Sequence, residues 1–219
     1  MTVQRTPKRH LVIAPHHDDE VIGCGGTIAR ALQLGDECRV VVVTRGDLSI
    51  PGMPAEEQVQ LREQECGAAA RVLGTEDVIY LREPDRSLLY SRRLVEELIR
   101  QLADYGPHYV YYPHGDEADR DHRVVNEVAR EAIMLGQSAF YDMPRRIQRS
   151  LQYEVWTPLR SFQYSTDITA VMDMKLEALQ RYGSQLARMR LLEGSRGLNA
   201  YRGMQVGVPF AEVFKMENM

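Results

Sequence analysis

Three short, mostly apolar blocks set the reading frame of this chain. Leu11, Val12, Ile13 and Ala14 form the first, bounded by charge on both sides, which is the pattern of a strand buried on both faces of a parallel sheet. Residues 39–44 (RVVVVT) form the second and clearest, and residues 108–112 (HYVYY) the third. A weaker strand is expected over 77–81. Between them the spacing turns helical. Val21, Ile22, Ile28 and Leu32 can share one face, residues 55–73 form a helix closed by Gly74, and residues 91–105 form another ahead of Gly106 and Pro107. A fourth helix carries Val124, Val125, Val128 and Ala129 on its apolar side. Beyond Met134 the pattern loosens. Residues 151–156 and 161–166 read as strands and 171–186 as a helix, whereas 194–203 has no assignable pattern.

Strands that alternate with helices, at separations too long for hairpins, predict right-handed crossovers. The expected fold class is therefore α/β, a Rossmann-like, mostly parallel, doubly wound sheet flanked by helices. In such sheets the first and fourth strands lie side by side where the winding reverses, so the active site is expected at the C-terminal ends of strands 1 and 4. With 219 residues, 44% of them hydrophobic, the chain suits one domain over 1–219.

Two polar clusters fall at those strand ends. The first is His16-His17-Asp18-Asp19-Glu20, at a strand-to-helix turn followed by Gly23-Cys24-Gly25-Gly26. His16 and Asp19 can turn back toward one metal ion, while Asp18 projects elsewhere and is free to act as a base. The alternative is an aspartate pair that caps the helix. The second cluster is the acidic loop 113–123, which leads into the fourth helix and contains His114, Asp119, Asp121 and His122. Here too an aspartate cap on a solvated loop is the plain alternative. If the loop faces the first turn, His122 completes a facial set with His16 and Asp19, suited to Zn2+ and also to Fe2+.

The segment PHHDDE with GCGGTIA resembles the (A/P)HPDDE signature of the PIG-L/LmbE family of metal-dependent N-deacetylases, with His17 in place of a proline. Asp121-His122-Arg123 resembles the end of the second family motif, HPDHR, whose last histidine binds metal. The first histidine of that motif is replaced here by Asp119 and its proline by Arg120. Weaker similarity extends through residues 62–65, Leu73-Gly74, Pro84-Asp85, residues 175–185, Tyr201-Arg202-Gly203 and residues 211–214.

This resemblance implies a zinc-dependent hydrolase that removes an N-acetyl group from the 2-amino position of an N-acetylglucosamine-type sugar conjugate. Metal-bound water would be the nucleophile and Asp18 the general base. It also implies sugar contacts from Asp47, Arg62 and Asp85, although Arg62 with Glu65 is equally an ordinary helical ion pair. Asp121 would orient the residue at position 119. Because Asp119 cannot act as an imidazolium, His114 is expected to take over the oxyanion or amine-protonating role, with His17 as its substitute. An amidase for a thiol-conjugate or antibiotic amide would use the same site. A non-catalytic α/β binding module would explain the glycines, but their spacing is not GxGxxG and it has no use for the ligand set.

Net charge is −4 with no basic run, which argues against nucleic acid as a partner. No apolar stretch has the length of a membrane span, and the one behind residue 10 is too short for a signal peptide. Cys24, Cys38 and Cys66 have no CxxC spacing and read as reduced, buried thiols. A cytoplasmic protein acting on a small molecule is expected. A homo-oligomer is left open.

Overall fold

A computed structural model describes residues 5–217. The expected strands form as β1 (Arg9–Ala14), β2 (Glu37–Thr44), β3 (Val78–Glu83), β4 (Tyr109–Pro113), β5 (Arg149–Tyr153) and β6 (Tyr164–Asp167), and a further strand, β7 (Ala211–Glu217), follows. Their order in the sheet is β3-β2-β1-β4-β5-β7-β6. β1 is parallel to both β2 and β4, so the reversal of winding falls where the sequence placed it. β7 runs antiparallel between β5 and β6.

The helices are α1 (Asp19–Gln33), α2 (Ala55–Leu73), α3 (Arg92–Tyr105), α4 (Arg120–Gly136), α5 (Met172–Leu179), α6 (Gly183–Leu186) and α7 (Leu191–Val206). α2 ends at Gly74 with φ 102°, a left-handed cap open to glycine. Ser91 caps α3 by accepting from the Leu94 N–H. The single helix expected over 171–186 is instead α5 and α6, and the unassigned stretch near 194–203 lies inside α7.

The period of two along a strand divides the core between the faces of the sheet. Val12, Val40, Val42, Tyr111 and Leu151 pack with α1, α2 and α5, while Leu11, Ile13, Val41, Val43 and Val110 pack with α3 and α4. This is why runs such as VVVV have no polar side.

α1 is broken at Cys24, whose φ of −146° and ψ of 18° are not helical. In an unbroken helix the Gly26 N–H would bond the Ile22 carbonyl. Here Ile22 O accepts instead from Lys175 Nζ (2.8 Å), and the Gly26 and Thr27 N–H groups donate to Glu212 (2.8 and 2.7 Å). Lys175 and Glu212 pair at 2.7 Å, both buried, and Asn199 accepts a further bond from Lys175. One buried ion pair thus satisfies the backbone groups freed by the break. Lys175→Met leaves Glu212 buried without its cation and is expected to cost about 3–5 kcal/mol, the usual loss when one partner of a buried pair is removed. The urea midpoint measures it; a change of only ~0.5 kcal/mol, as at an ordinary surface position, would disprove the role.

Two glycines on α1 are set by packing. A Cβ on Gly23 would lie 2.3 Å from the Tyr153 ring, and one on Gly26 2.7 Å from Ile168. Tyr153 in turn donates its hydroxyl to Ile13 O at 2.8 Å, so β5 holds the start of α1 against β1.

Candidate metal centre

The turn between β1 and α1 is built under strain. Asp18 has φ 120°, a left-handed conformation that costs an aspartate free energy unless its surroundings enforce it. Glu20 Oε2 accepts from the Asp18 N–H at 3.0 Å, and Tyr182 donates to the other Glu20 oxygen. Arg62 donates to the His17 carbonyl, and its Nη2 lies 3.3 Å from Asp18 Oδ2. Burial pushes the Glu20 carboxyl up to about 7, against the opposing bond from Tyr182. Glu20 and Tyr182 were not among the residues expected from sequence. Glu20 is part of the quoted motif, and only its contacts show that it holds the turn.

Three donor atoms converge beyond this turn. His16 Nδ1 is 3.3 Å from Asp19 Oδ2 and 3.2 Å from His122 Nε2, and His122 Nε2 is 3.1 Å from Asp19 Oδ2. Ligand atoms about 2.0–2.1 Å from a tetrahedral ion lie about 3.3 Å apart, so this triangle has the dimensions of one coordination face. Asp19 Oδ1 is buried without a hydrogen bond among the described residues, as expected of a carboxylate arranged for an ion, while His122 Nδ1, on the far side of its ring, lies 3.9 Å from Glu117. Burial works against charge on all three. Even so, His122 and His16 pull the Asp19 carboxyl below the ordinary carboxylate range, and Asp19 raises His122. The residues present fit a divalent cation.

Further carboxylates flank the other edge of His16. Its Nε2 lies 3.2 Å from Asp85 Oδ1 and 3.5 Å from Asp121 Oδ2. Burial lowers the proton affinity of His16, but bonds to Asp121, Asp19 and Asp85 outweigh it and raise the pKa well above the usual value. Asp119 caps α4, its Oδ1 accepting from the Asp121 N–H at 2.8 Å, and its Oδ2 accepts from Arg86. Cap and site residue were alternatives in the sequence; Asp119 is a cap, while Asp121 faces His16. Glu117, also missed, is fully buried and accepts from the N–H groups of Val155, Trp156 and Thr157, fixing the loop after β5 beneath His122.

The residues expected to bind sugar divide differently. Arg62 is buried against Asp18 and Asp85 against His16, so both face inward to the centre. Asp47, half-buried in the loop after β2, pairs with Arg45 at 3.2 Å. Asp18 is buried as well. Desolvation pushes its carboxyl up to about 6, in opposition to the charge of Arg62.

His114 is not brought to the centre as a free imidazole. Its Nδ1 accepts from the Asp116 N–H at 3.1 Å, which places its proton on Nε2, and Nε2 lies 2.6 Å from the Thr157 carbonyl. Both nitrogens are spent on backbone groups, so the arrangement gives the expected oxyanion or acid role no support. His17 is fully buried, stacks on Tyr80, and is held near pKa 3 by burial and by Arg62. His114→Ala is expected to cost about 1–3 kcal/mol of stability by removing a buried ring that bonds the Asp116 N–H and the Thr157 carbonyl. Thermal unfolding alongside turnover tests this, since a ~10²–10³ loss of turnover in a folded variant would return His114 to the reaction.

A protein-family model described as GlcNAc-PI de-N-acetylase, PIG-L, matches residues 11–133, more than half of the chain and the whole span of both motifs. The chain belongs to the PIG-L family. Among curated relatives, the diacetylchitobiose deacetylase of Thermococcus kodakarensis is 28% identical over 191 residues, covering 81% of this chain and 70% of the relative. Among solved structures, the N,N'-diacetylchitobiose deacetylase of Pyrococcus horikoshii in complex with an inhibitor superposes with a TM-score of 0.86 at 27% identity, over 96% of this chain and 84% of that one. GalB, the 4-carboxy-2-hydroxymuconate hydratase of Pseudomonas putida, has a TM-score of 0.83 at 23% identity, over 97% and 99% of the two chains, and shows the shared fold alone. PIG-L deacetylases are metal-dependent hydrolases of an amide bond, and His16, Asp19 and His122 are a group able to hold the ion. No helix among the described residues is long and apolar enough to cross a membrane.

Proposed function

We propose that this PIG-L protein is a zinc-dependent deacetylase that removes the acetyl group from the 2-amino position of an N-acetylglucosamine-type sugar conjugate. The observation that carries this reading is the His16, Asp19, His122 triangle with a separate buried carboxylate, Asp18, next to it in the chain. The deacetylases named above support the substrate class. Zn2+ is the ion proposed, in a donor set that also accepts Fe2+. Held there, the ion would supply Lewis acidity, polarising the amide carbonyl and acidifying a water molecule.

The chain's own residues supply the proton chemistry. Asp18 is not part of the triangle, and Arg62 fixes one of its oxygens, so its carboxylate is available to take a proton from the attacking water. Asp85 and Asp121 orient His16 through Nε2, leaving Nδ1 for the ion. Asp47, on a loop at the ligand edge of the sheet, is the sugar contact retained from the sequence reading. The three cysteines are free and buried, which suits a reducing compartment, and the proposed location is the cytoplasm.

Metal analysis of the purified protein, with acetate release measured over a panel of N-acetylglucosaminides, tests the reading. Stoichiometric zinc or iron with acetate release is expected. A metal-loaded protein that releases no acetate from any of them would refute it.

A further inference from the structure

Each histidine of the triangle offers the ion one ring nitrogen and has a second to account for. His16 turns its second nitrogen, Nε2, to Asp85 and Asp121. On His122 the nitrogen in the triangle is Nε2, and Nδ1 lies on the far side of the ring, fully buried and without a hydrogen bond among the described residues. A neutral imidazole that gives its Nε2 lone pair to a cation keeps its one proton on Nδ1, so Nδ1 becomes a donor. A buried N–H left without an acceptor would weigh against the ion.

The group facing that nitrogen is Glu117. Its Oε2 lies 3.9 Å from His122 Nδ1, and both side chains are fully buried. The separation is roughly 1 Å longer than an N–H···O bond and too narrow to seat a water between the two. The carboxylate is held in place from its other side. Oε1 accepts from the Val155 N–H at 2.6 Å, both oxygens share the Trp156 N–H at 3.2 Å, and Oε2 accepts from the Thr157 N–H at 3.1 Å. Three successive backbone N–H groups thus cradle one anion. Arg123 Nη1 donates to the Glu117 carbonyl at 2.6 Å, which ties its backbone to α4, the helix that carries His122. His114 Nε2 is 3.4 Å from Oε1, but its proton goes to the Thr157 carbonyl at 2.6 Å.

We propose that Glu117 is a positioning residue of the metal centre, accepting a hydrogen bond from His122 Nδ1–H. This rests on the metal site proposed above. The proton stays on Nδ1. The bond holds the ring in the tautomer that presents Nε2 to the ion, fixes its orientation, and makes Nε2 the stronger electron donor, as a carboxylate behind a ligating histidine does in metal sites generally. Anchoring the loop after β5 and preparing His122 are then two tasks of one carboxylate.

Zinc affinity of the full chain reads this directly. Glu117→Gln is expected to weaken Zn2+ binding ~10–100-fold in a chelator competition, the usual effect of losing the partner of a metal ligand. The amide keeps an oxygen for the backbone N–H groups, and circular dichroism verifies the fold, but its NH2 group cannot accept from Nδ1–H. Thr157→Ala is the control. It removes the hydroxyl that accepts from the Ala118 N–H at 2.9 Å, loosening the same two loops without touching Glu117 or His122, and should leave Zn2+ affinity unchanged. In the zinc-loaded wild type, NMR of isotope-labelled histidine should show a His122 Nδ1–H that is shifted downfield and exchanges slowly, a signature that loop anchoring alone would not give and that needs no variant to fold. Unchanged Zn2+ affinity in Glu117→Gln, an equal loss in Thr157→Ala, or His122 bound to the ion through Nδ1 would each overturn the assignment. A wild type that takes up neither Zn2+ nor Fe2+ would overturn the metal centre first, and this assignment with it.

Discussion

His122→Ala is expected to abolish stoichiometric metal and acetate release together. His122 Nε2 is the vertex that closes the triangle, 3.1 Å from Asp19 and 3.2 Å from His16, and it comes from a different strand end than the other two. Without it, two ligands three residues apart remain, one short of the three protein ligands that hold a catalytic zinc ion. The same experiment probes the cross-sheet geometry, because the ligand from α4 reaches the site only if β1 and β4 are neighbours. Elemental analysis of the purified variant is the measurement. Full metal content in His122→Ala would mean that the ion sits elsewhere, and the second cluster of His16, Asp119 and Asp121 would then be the place to look.

Asp18→Asn should give the opposite separation, with metal retained and turnover reduced by ~10²–10⁴, the usual contribution of general base catalysis. The amide is nearly isosteric with the carboxylate and can still meet the buried surroundings of Arg62, but it cannot accept a proton from water. Among the described residues, Asp18 belongs to no group able to hold the ion. Its strained backbone, secured by Glu20 and Arg62, keeps it apart from Asp19 although the two are adjacent in sequence. Metal analysis with single-turnover kinetics tells the roles apart. A metal-free Asp18→Asn would exchange the two aspartates.

The regular part of the fold was legible because burial on both faces leaves an unmistakable local trace. Residues 11–14 and 40–43 are apolar at every position, and the structure places successive residues against different helix layers. From the alternation of such strands with helices, the adjacency of β1 and β4 followed, and with it the meeting of His16, Asp19 and His122 from positions more than a hundred residues apart. The end of the chain was not legible in this way. α7 contains Gly194, Gly197 and Gly203, which weaken any helical signal, and Gly203 is there because a Cβ would meet the Val208 and Pro209 carbonyls at 2.5 Å. β7 enters the sheet between strands that precede it, a pairing decided by long-range contact.

The same division runs through the site. The sequence by itself determined the strand ends and the meeting of His16, Asp19 and His122 as a group able to hold an ion, since residue type, spacing and the order of strands suffice to bring such side chains to one edge of a parallel sheet. What each remaining polar side chain does was decided by tertiary structure. Arg62 and Asp85 turn inward to Asp18 and His16, and both nitrogens of His114 are taken by loop backbone at Asp116 and Thr157. The break in α1 closes on Lys175 and Glu212, more than 150 residues further along the chain. A buried polar group must find a partner wherever the fold supplies one, and no local pattern records which group that is.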